Sequence, residues 1–135
     1  LIEQWGLKPY FSVEGEIEFG KVPQFINGLD VAILFFKPVR KNPGNPLKLF
    51  EYLACGKPVI ATDIENYGRL LEHHSAGLAV DSENPVSVAE AILRLARDQE
   101  LYRRMSAQAR QVAVGRFSWK NTALTIESPL KGIIK

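Results

Sequence analysis

A length of 135 residues suits a single domain with one core. With 46% hydrophobic and 24% charged residues, the composition is that of a soluble globular protein and excludes a disordered or fibrous chain. A formal charge of +2 and a pI ≈ 8.8 point to neither nucleic acid nor an anionic membrane, and one cysteine leaves no internal disulfide or cysteine-cluster zinc site, which fits a reducing compartment.

Residues 11–19, FSVEGEIEF, alternate between apolar Phe11, Val13, Ile17 and Phe19 and acidic Glu14, Glu16 and Glu18. That period predicts a half-exposed strand or hairpin at a sheet edge, with Gly15 at a bulge or turn. VPQFING (22–28) predicts a short helix, with Pro23 in its first turn and Gly28 as its stop. VAILFF (31–36) is apolar throughout, as a parallel strand covered on both faces would be. Leu47, Phe50, Leu53 and Ala54 recur at helical spacing and predict a helix over 46–55. A strand at 58–62, a helix over 65–74 and a strand at 76–80 complete an alternation that requires βαβ crossovers and a parallel sheet.

After Asp81 the pattern is helical. Asn84-Pro85 opens a helix with Val88, Ala89, Ile92, Leu95 and Ala96 on one face. A second helix carries Leu101, Met105, Ala109 and Val112. Ser118 caps a third, with Phe117 as a staple residue before it, and Pro129 should end or kink it near Ser128. Three strands plus the 11–19 segment are fewer than a doubly wound sheet has, and the chain opens at Leu1 rather than Met. The expectation is a partial α/β domain over 1–135 whose first strands lie upstream. No apolar run approaches the ~20 residues of a membrane span, and no signal peptide is visible.

The stretch NPGNPLKLFEYLACGKPVIATD (42–63) concentrates the chemistry. In open parallel sheets, ligands sit outside the carboxyl ends of the strands. Residues 37–45 leave such an end and enter a helix. Asn45 suits the N-cap and Pro46 the first helical position, so the amides of Leu47 and Lys48 would point outward with the helix dipole behind them. That is a phosphate site in waiting. Gly44 would let a ligand approach the backbone, and Arg40, Lys41 and Lys48 add positive charge. Glu51, one turn inside, can accept two hydrogen bonds from a vicinal diol. The other reading is a capped helix that meets nothing, with Lys48 and Glu51 a surface pair contributing ~0.2–0.5 kcal/mol. Asn84-Pro85 repeats the same dipeptide at a helix that looks purely structural.

Four segments occur in order: VPQFINGLDVAILFF, NPLKLFEYLACGKPVIATDI, AGLAVDSENPVSVAEAILRLARDQELYRRMSAQAR and RFSW. Together they resemble the C-terminal, donor-binding domain of group 1 glycosyltransferases of the GT-B fold. The resemblance implies a Rossmann-like three-layer parallel sheet followed by a run of helices. It also implies transfer of a sugar from a nucleotide diphospho-sugar (UDP-, GDP- or ADP-linked) to an acceptor, with retention and with neither a required metal nor a cofactor. The turn whose amides meet the diphosphate matches Gly44 to Lys48, including Asn45 and Leu47, and the glutamate that grips the ribose matches Glu51. Pro43 stands where the family places a further glutamate that contacts the sugar. The family's acceptor domain and its upstream phosphate-binding bases have no counterpart here, so the chain by itself is expected to be inactive. The alternative is a non-catalytic module that binds a nucleotide or self-associates, as a homodimer, through the sheet edge left open.

Asp63 to Gly68 follow the next strand and border the same crevice, with Glu65 and Asn66 as candidate contacts to the sugar or phosphate. His73 and His74 read as a solvated pair at a helix C-terminus rather than metal ligands, and Cys55 as a small buried hydrophobe. Arg94, Arg97, Arg103, Arg104 and Arg110 form a basic helical surface that suits solvent or, in the parent, peripheral contact with the inner face of a membrane. The expected setting is cytoplasmic, and no nucleic-acid partner is indicated.

Overall fold

A computed structural model describes residues 1–36, 46–63 and 66–131. Two short 3-10 turns, Lys8–Tyr10 and Phe19–Lys21, precede α1 (Val22–Asn27) and β1 (Ala32–Leu34). Then follow α2 (Leu47–Ala54), β2 (Val59–Thr62), α3 (Tyr67–His73) and β3 (Gly77–Val80). Three helices close the order: α4 (Pro85–Arg97), α5 (Gln99–Gly115) and α6 (Trp119–Lys131). The strands form one parallel sheet in the order β1-β2-β3, with Ala32 opposite Val59 and Val59 opposite Gly77. Each parallel pair is joined through a helix, as its geometry demands. No helix among the described residues is long and apolar enough to cross a membrane.

Strand alternation sends side chains to two cores. Ala32, Leu34, Val59 and Ala61 pack with Leu49 and Leu53 of α2, Leu71 of α3 and Ala109, Val112 and Ala113 of α5. Ile60, Leu78 and Val80 pack with Ala91 and Leu95 of α4 and with Leu101 and Met105 of α5. The two ends of α5 thus serve opposite faces of the sheet. Leu49, Leu53, Leu71 and Leu95 are almost wholly buried; each contributes ~1.5–3 kcal/mol by leaving water.

Backbone close approach explains two glycines. A Cβ at Gly77 would lie 2.0 Å from the Val59 carbonyl oxygen, so only glycine lets β3 lie against β2 there. Gly56, at φ 67°, ends α2 in a Schellman turn: its amide donates to the Leu53 carbonyl at 2.9 Å and the Lys57 amide to that of Tyr52 at 2.9 Å. The Ser106 hydroxyl then donates to the Gly56 carbonyl at 2.7 Å, and the Arg110 guanidinium to that of Ala54, locking this end to α5.

Four expectations fail. Residues 11–18 form no strand, and Phe11, Val13 and Phe19 are exposed. Alternation makes a strand only where a neighbouring edge accepts its hydrogen bonds, and among the described residues none pairs with it. Local chemistry takes over: Gly15 adopts φ 70°, and the Ser12 hydroxyl donates to the Glu14 carboxylate. The second face of β1 is only partly covered: Val31 packs against the second core, but Ile33 is 45% and Phe35 40% exposed. The buried stripe of α4 runs through Ala91 and Leu95 with Val88 beside it, while Ala89, Ile92 and Ala96 turn outward. Pro129 lies inside α6 instead of ending it. The proline leaves the carbonyl of Thr125 without its helical donor, and exposure of that whole stretch lets water take the donor's place.

Candidate functional site

β1, β2 and β3 all point their carboxyl ends the same way, and the loops after them gather there. Between β2 and β3 they line an open cleft of ≈ 440 Å³ with Phe36, Thr62, Asp63, Asp81, Ser82 and Ser87 among its walls. α2 returns antiparallel to the strands, so its first turn opens at this same end of the molecule.

The start of α2 differs by one residue from the expected cap. Pro46 itself is the N-cap, at φ −74° and ψ 101°, and no side chain among the described residues caps it. Its carbonyl accepts the Leu49 amide at 2.9 Å. The amides of Leu47 and Lys48 come before that first intrahelical bond, where helix N–H groups have no intrahelical acceptor. Both side chains are exposed, Leu47 at 67%. Glu51 is half-buried one turn further on. Lys48 and Glu51 form no ion pair with each other among the described residues. Burial, and then the adjacent Glu51 carboxylate, raises the Tyr52 phenol above its ordinary 10.0. Arg40, Lys41, Gly44, Asn45 and Glu65 lie outside the described residues, as does Pro43.

Asn66 stands at the N-cap of α3 in the left-handed region, φ 64°, and its side chain caps nothing. Asp63 does that work. Its carboxylate accepts the Arg69 amide at 3.1 Å and the Arg69 Nε–H at 2.8 Å. Gly68 makes room for this turn, since a Cβ there would meet Ala79 at 2.9 Å and Asp63 at 3.0 Å. Thr62 is buried, 4% exposed, and its hydroxyl accepts the Phe36 amide at 3.1 Å. Thr62 is a contributor that the sequence reading lacks; the available signal was a polar residue closing an apolar strand, at the end where ligands bind.

His73 is exposed at the end of α3, as expected, whereas His74 is half-buried within an aromatic stack. The His74 ring meets His73 at 4.8 Å and Phe117 at 6.4 Å between centroids, and its Nε2 lies 3.5 Å from Arg116 Nη1. Burial, then the Arg116 and His73 charges, lower its pKa below 6.5 and favour the neutral ring. Phe117 continues the stack onto Phe50 of α2 at 5.1 Å, so it braces α2 rather than stapling α6. Ser118 does cap α6, accepting the Asn121 amide at 3.3 Å. Cys55 is only half-buried.

Residues 1–112 match the family model described as glycosyl transferases group 1. YtcC of Bacillus subtilis (strain 168), named as a glycosyltransferase, is 33% identical over 86 residues, or 63% of this chain and 21% of YtcC. LpsD of Rhizobium meliloti (strain 1021), a lipopolysaccharide core biosynthesis glycosyltransferase, is 39% identical over 71 residues, or 53% of this chain and 21% of LpsD. The chain therefore spans about a fifth of the length of these curated relatives. Among solved structures, Anabaena HepE in complex with UDP superposes with a TM-score of 0.80 at 21% identity, covering 97% of this chain and 35% of HepE. Sucrose-phosphate synthase from Thermosynechococcus elongatus gives 0.79 at 21% identity, covering 98% of this chain and 32% of that one. At that identity the likeness speaks for the fold, which is the parallel GT-B type that the resemblance implies. With its model matched over 1–112 and the parallel sheet in place, this chain belongs to the group 1 glycosyl transferases.

Proposed function

We propose that this chain is the donor-binding part of a glycosyltransferase, one that moves a sugar from a nucleotide diphospho-sugar to an acceptor with retention and without a required metal. One observation carries the reading: α2 opens at the carboxyl end of the sheet with a proline N-cap that offers no acceptor, and Glu51 sits half-buried one turn inside. In this proposal the amides of Leu47 and Lys48 meet the diphosphate, with Gly44 and Asn45 in the same turn and Arg40 and Lys41 adding charge. Transfer breaks the bond between the sugar's anomeric carbon and the diphosphate, and negative charge grows on the leaving phosphate. Fixed amides and a helix dipole aimed at that charge favour the transition state. Glu51 accepts the two ribose hydroxyls. Glu65 and Asn66 lie toward the sugar. The acceptor domain, a cytoplasmic setting and contact with the inner face of a membrane belong to the parent protein in the same proposal. HepE was solved with UDP, which makes UDP the first probe.

The test is an NMR titration of this chain with UDP, GDP and ADP. Binding near millimolar strength is expected, with shifts gathered at Leu47–Glu51 and its neighbours. Glu51→Gln keeps shape but removes a charged acceptor worth ~1.5–3 kcal/mol, so it should weaken binding roughly tenfold or more. Shifts that are absent, or indifferent to the substitution, would leave only a helix start.

A second reading has its own observation. β1 is an edge strand with Ile33 and Phe35 exposed, and such an edge invites pairing with a second copy. A concentration series of the same spectra tests it: self-association broadens the β1 signals, and a concentration-independent spectrum removes the reading.

A further inference from the structure

We infer that α6 is a self-association helix, its apolar stripe covered by the same stripe of a second copy of this chain in antiparallel orientation. The surface is distinct from the β1 edge, and the inference does not depend on the donor-site reading. α6 runs for 13 residues, and none of them is buried. One side of it is accounted for: Asn121, Leu124 and Thr125 line a cavity with Gly115 and Arg116, and the Asn121 side-chain amide donates to the Val114 carbonyl at 3.3 Å. Helical residues advance by about 100° each, so Trp119, Ala123, Ile126 and Leu130 form a stripe on the opposite side. Trp119 is 85%, Ile126 58% and Leu130 45% exposed. Their spacing of four, three and four residues is that of a coiled-coil seam.

The charges beside the stripe choose the occupant. Lys120 and Glu127 lie one heptad apart on the same flank, while the other flank carries uncharged Thr122 and Pro129. Among the described residues Lys120 has no ion-pair partner. Glu127 holds Lys131 of its own helix through Oε1 at 2.8 Å, which leaves Oε2 for a second cation. A parallel pair of helices would set each charged flank against an uncharged one; an antiparallel pair sets the two charged flanks together. One antiparallel register then meets every requirement. Trp119 faces Leu130 of the second copy, small Ala123 faces its Ile126, and Lys120 reaches its Glu127, with each contact made twice about the two-fold axis. Trp119 and Thr122 also border a groove of ≈ 240 Å³ with Leu47, Phe50 and Phe117, so Leu130 of the second copy comes down beside an apolar wall that α2 helps to build. The seam spans only about 16 Å, well short of a standard interface, and association at roughly 0.1 mM is expected.

Sedimentation equilibrium of this chain from roughly 10 µM to 1 mM, with NMR spectra over the same series, tests the inference. A monomer–dimer equilibrium is expected, with broadening gathered at Trp119–Leu130. Ile126→Asp should weaken it more than tenfold. Lys120→Glu and Glu127→Lys each turn two attractive contacts per dimer into two repulsive ones, so each should weaken it about tenfold. The double reversal restores opposite charges and should return the affinity to within about threefold of the unaltered chain. All three side chains are exposed, so the β2–β3 and α5 amides should keep their positions in every variant. A chain that stays monomeric across the range would overturn the inference. So would a double reversal as weak as the single ones. A dimer indifferent to Ile126→Asp, with its broadening at β1, would belong to the sheet edge and overturn it equally.

Discussion

Asn84-Pro85 and Asn45-Pro46 are the same dipeptide at the head of two helices, yet the helix ends they precede differ. At α4 the proline is the first helical residue, and Asn84 Oδ1 accepts the amides of Val86 and Ser87 at 3.1 and 3.3 Å. Pro85 has no N–H and the Asn84 amide donates to the Asp81 carbonyl at 3.1 Å, so the two side-chain bonds take up the remaining free donors of the helix start. At α2 the helix begins one residue later, at Leu47, and the N-cap is Pro46, whose side chain has no acceptor to give. Leu49 and Leu53 turn α2 toward the sheet, as Ala91 and Leu95 turn α4. Among the described residues, then, the end of α4 is closed and that of α2 is open, and an open end can meet an anion.

The comparison can be broken most directly by unseating α2. Leu49→Ala should cost about 2–5 kcal/mol, the range for deleting a fully buried leucine. Urea denaturation measures the loss. The proposed function adds that nucleotide binding should disappear at urea concentrations where the rest of the fold persists. Survival of binding would show that the phase of α2 does not matter.

Exchanging the two caps sharpens the contrast. Asn84→Ala should destabilise by ~1 kcal/mol and leave nucleotide affinity alone. Pro46→Asn should do the opposite. An asparagine at that N-cap supplies an acceptor for the first-turn amides, adding a few tenths of a kcal/mol to ~1 kcal/mol of stability, while competing with any phosphate for those amides. Thermal melts and the UDP titration read the two effects separately. A Pro46→Asn variant that gains stability and binds as before would show that the open end is not used.

The smallest effect belongs to the aromatic stack that braces α2 and has no equivalent at α4. His74 has a folded pKa below its unfolded 6.5, so the unfolded chain takes up the proton first. Its contribution to stability is therefore constant above 6.5, declines as pH falls through 6.5, and levels off below the folded value. His74→Gln should flatten that part of the stability–pH curve, with His73→Gln changing it less. An unchanged slope in His74→Gln would place the titration elsewhere.

How much of this was legible beforehand depends on how far each feature reaches along the chain. The βαβ alternation, the helices and the Asn84 cap rest on residues within a turn or a strand of one another, and periodicity exposes those. The stretch FSVEGEIEF alternates just as clearly, yet forms no strand, because a strand is completed by hydrogen bonds to a neighbour that its own letters do not contain. β1 reads as doubly buried, but Ile33 is left open, since burial is decided by position in the sheet. Around the candidate site, Leu47, Lys48 and Glu51 could be picked out from spacing alone. Asp63 as the cap of α3 reaches six residues, and Thr62 meets Phe36 across 26, beyond any local pattern.

By itself, then, the sequence determined the order of helices and strands from α1 onward, the parallel sheet they must form, and the family. The order and the sheet follow from local dihedral preference, from side-chain period and from the length of each crossover, and the family from the resemblance of whole segments. Tertiary structure alone decided the start of α2, the open face of β1 and the tether from Thr62 to Phe36. Each of these depends on which surface a neighbouring element covers and on which distant carbonyl or hydroxyl is left to accept a hydrogen bond.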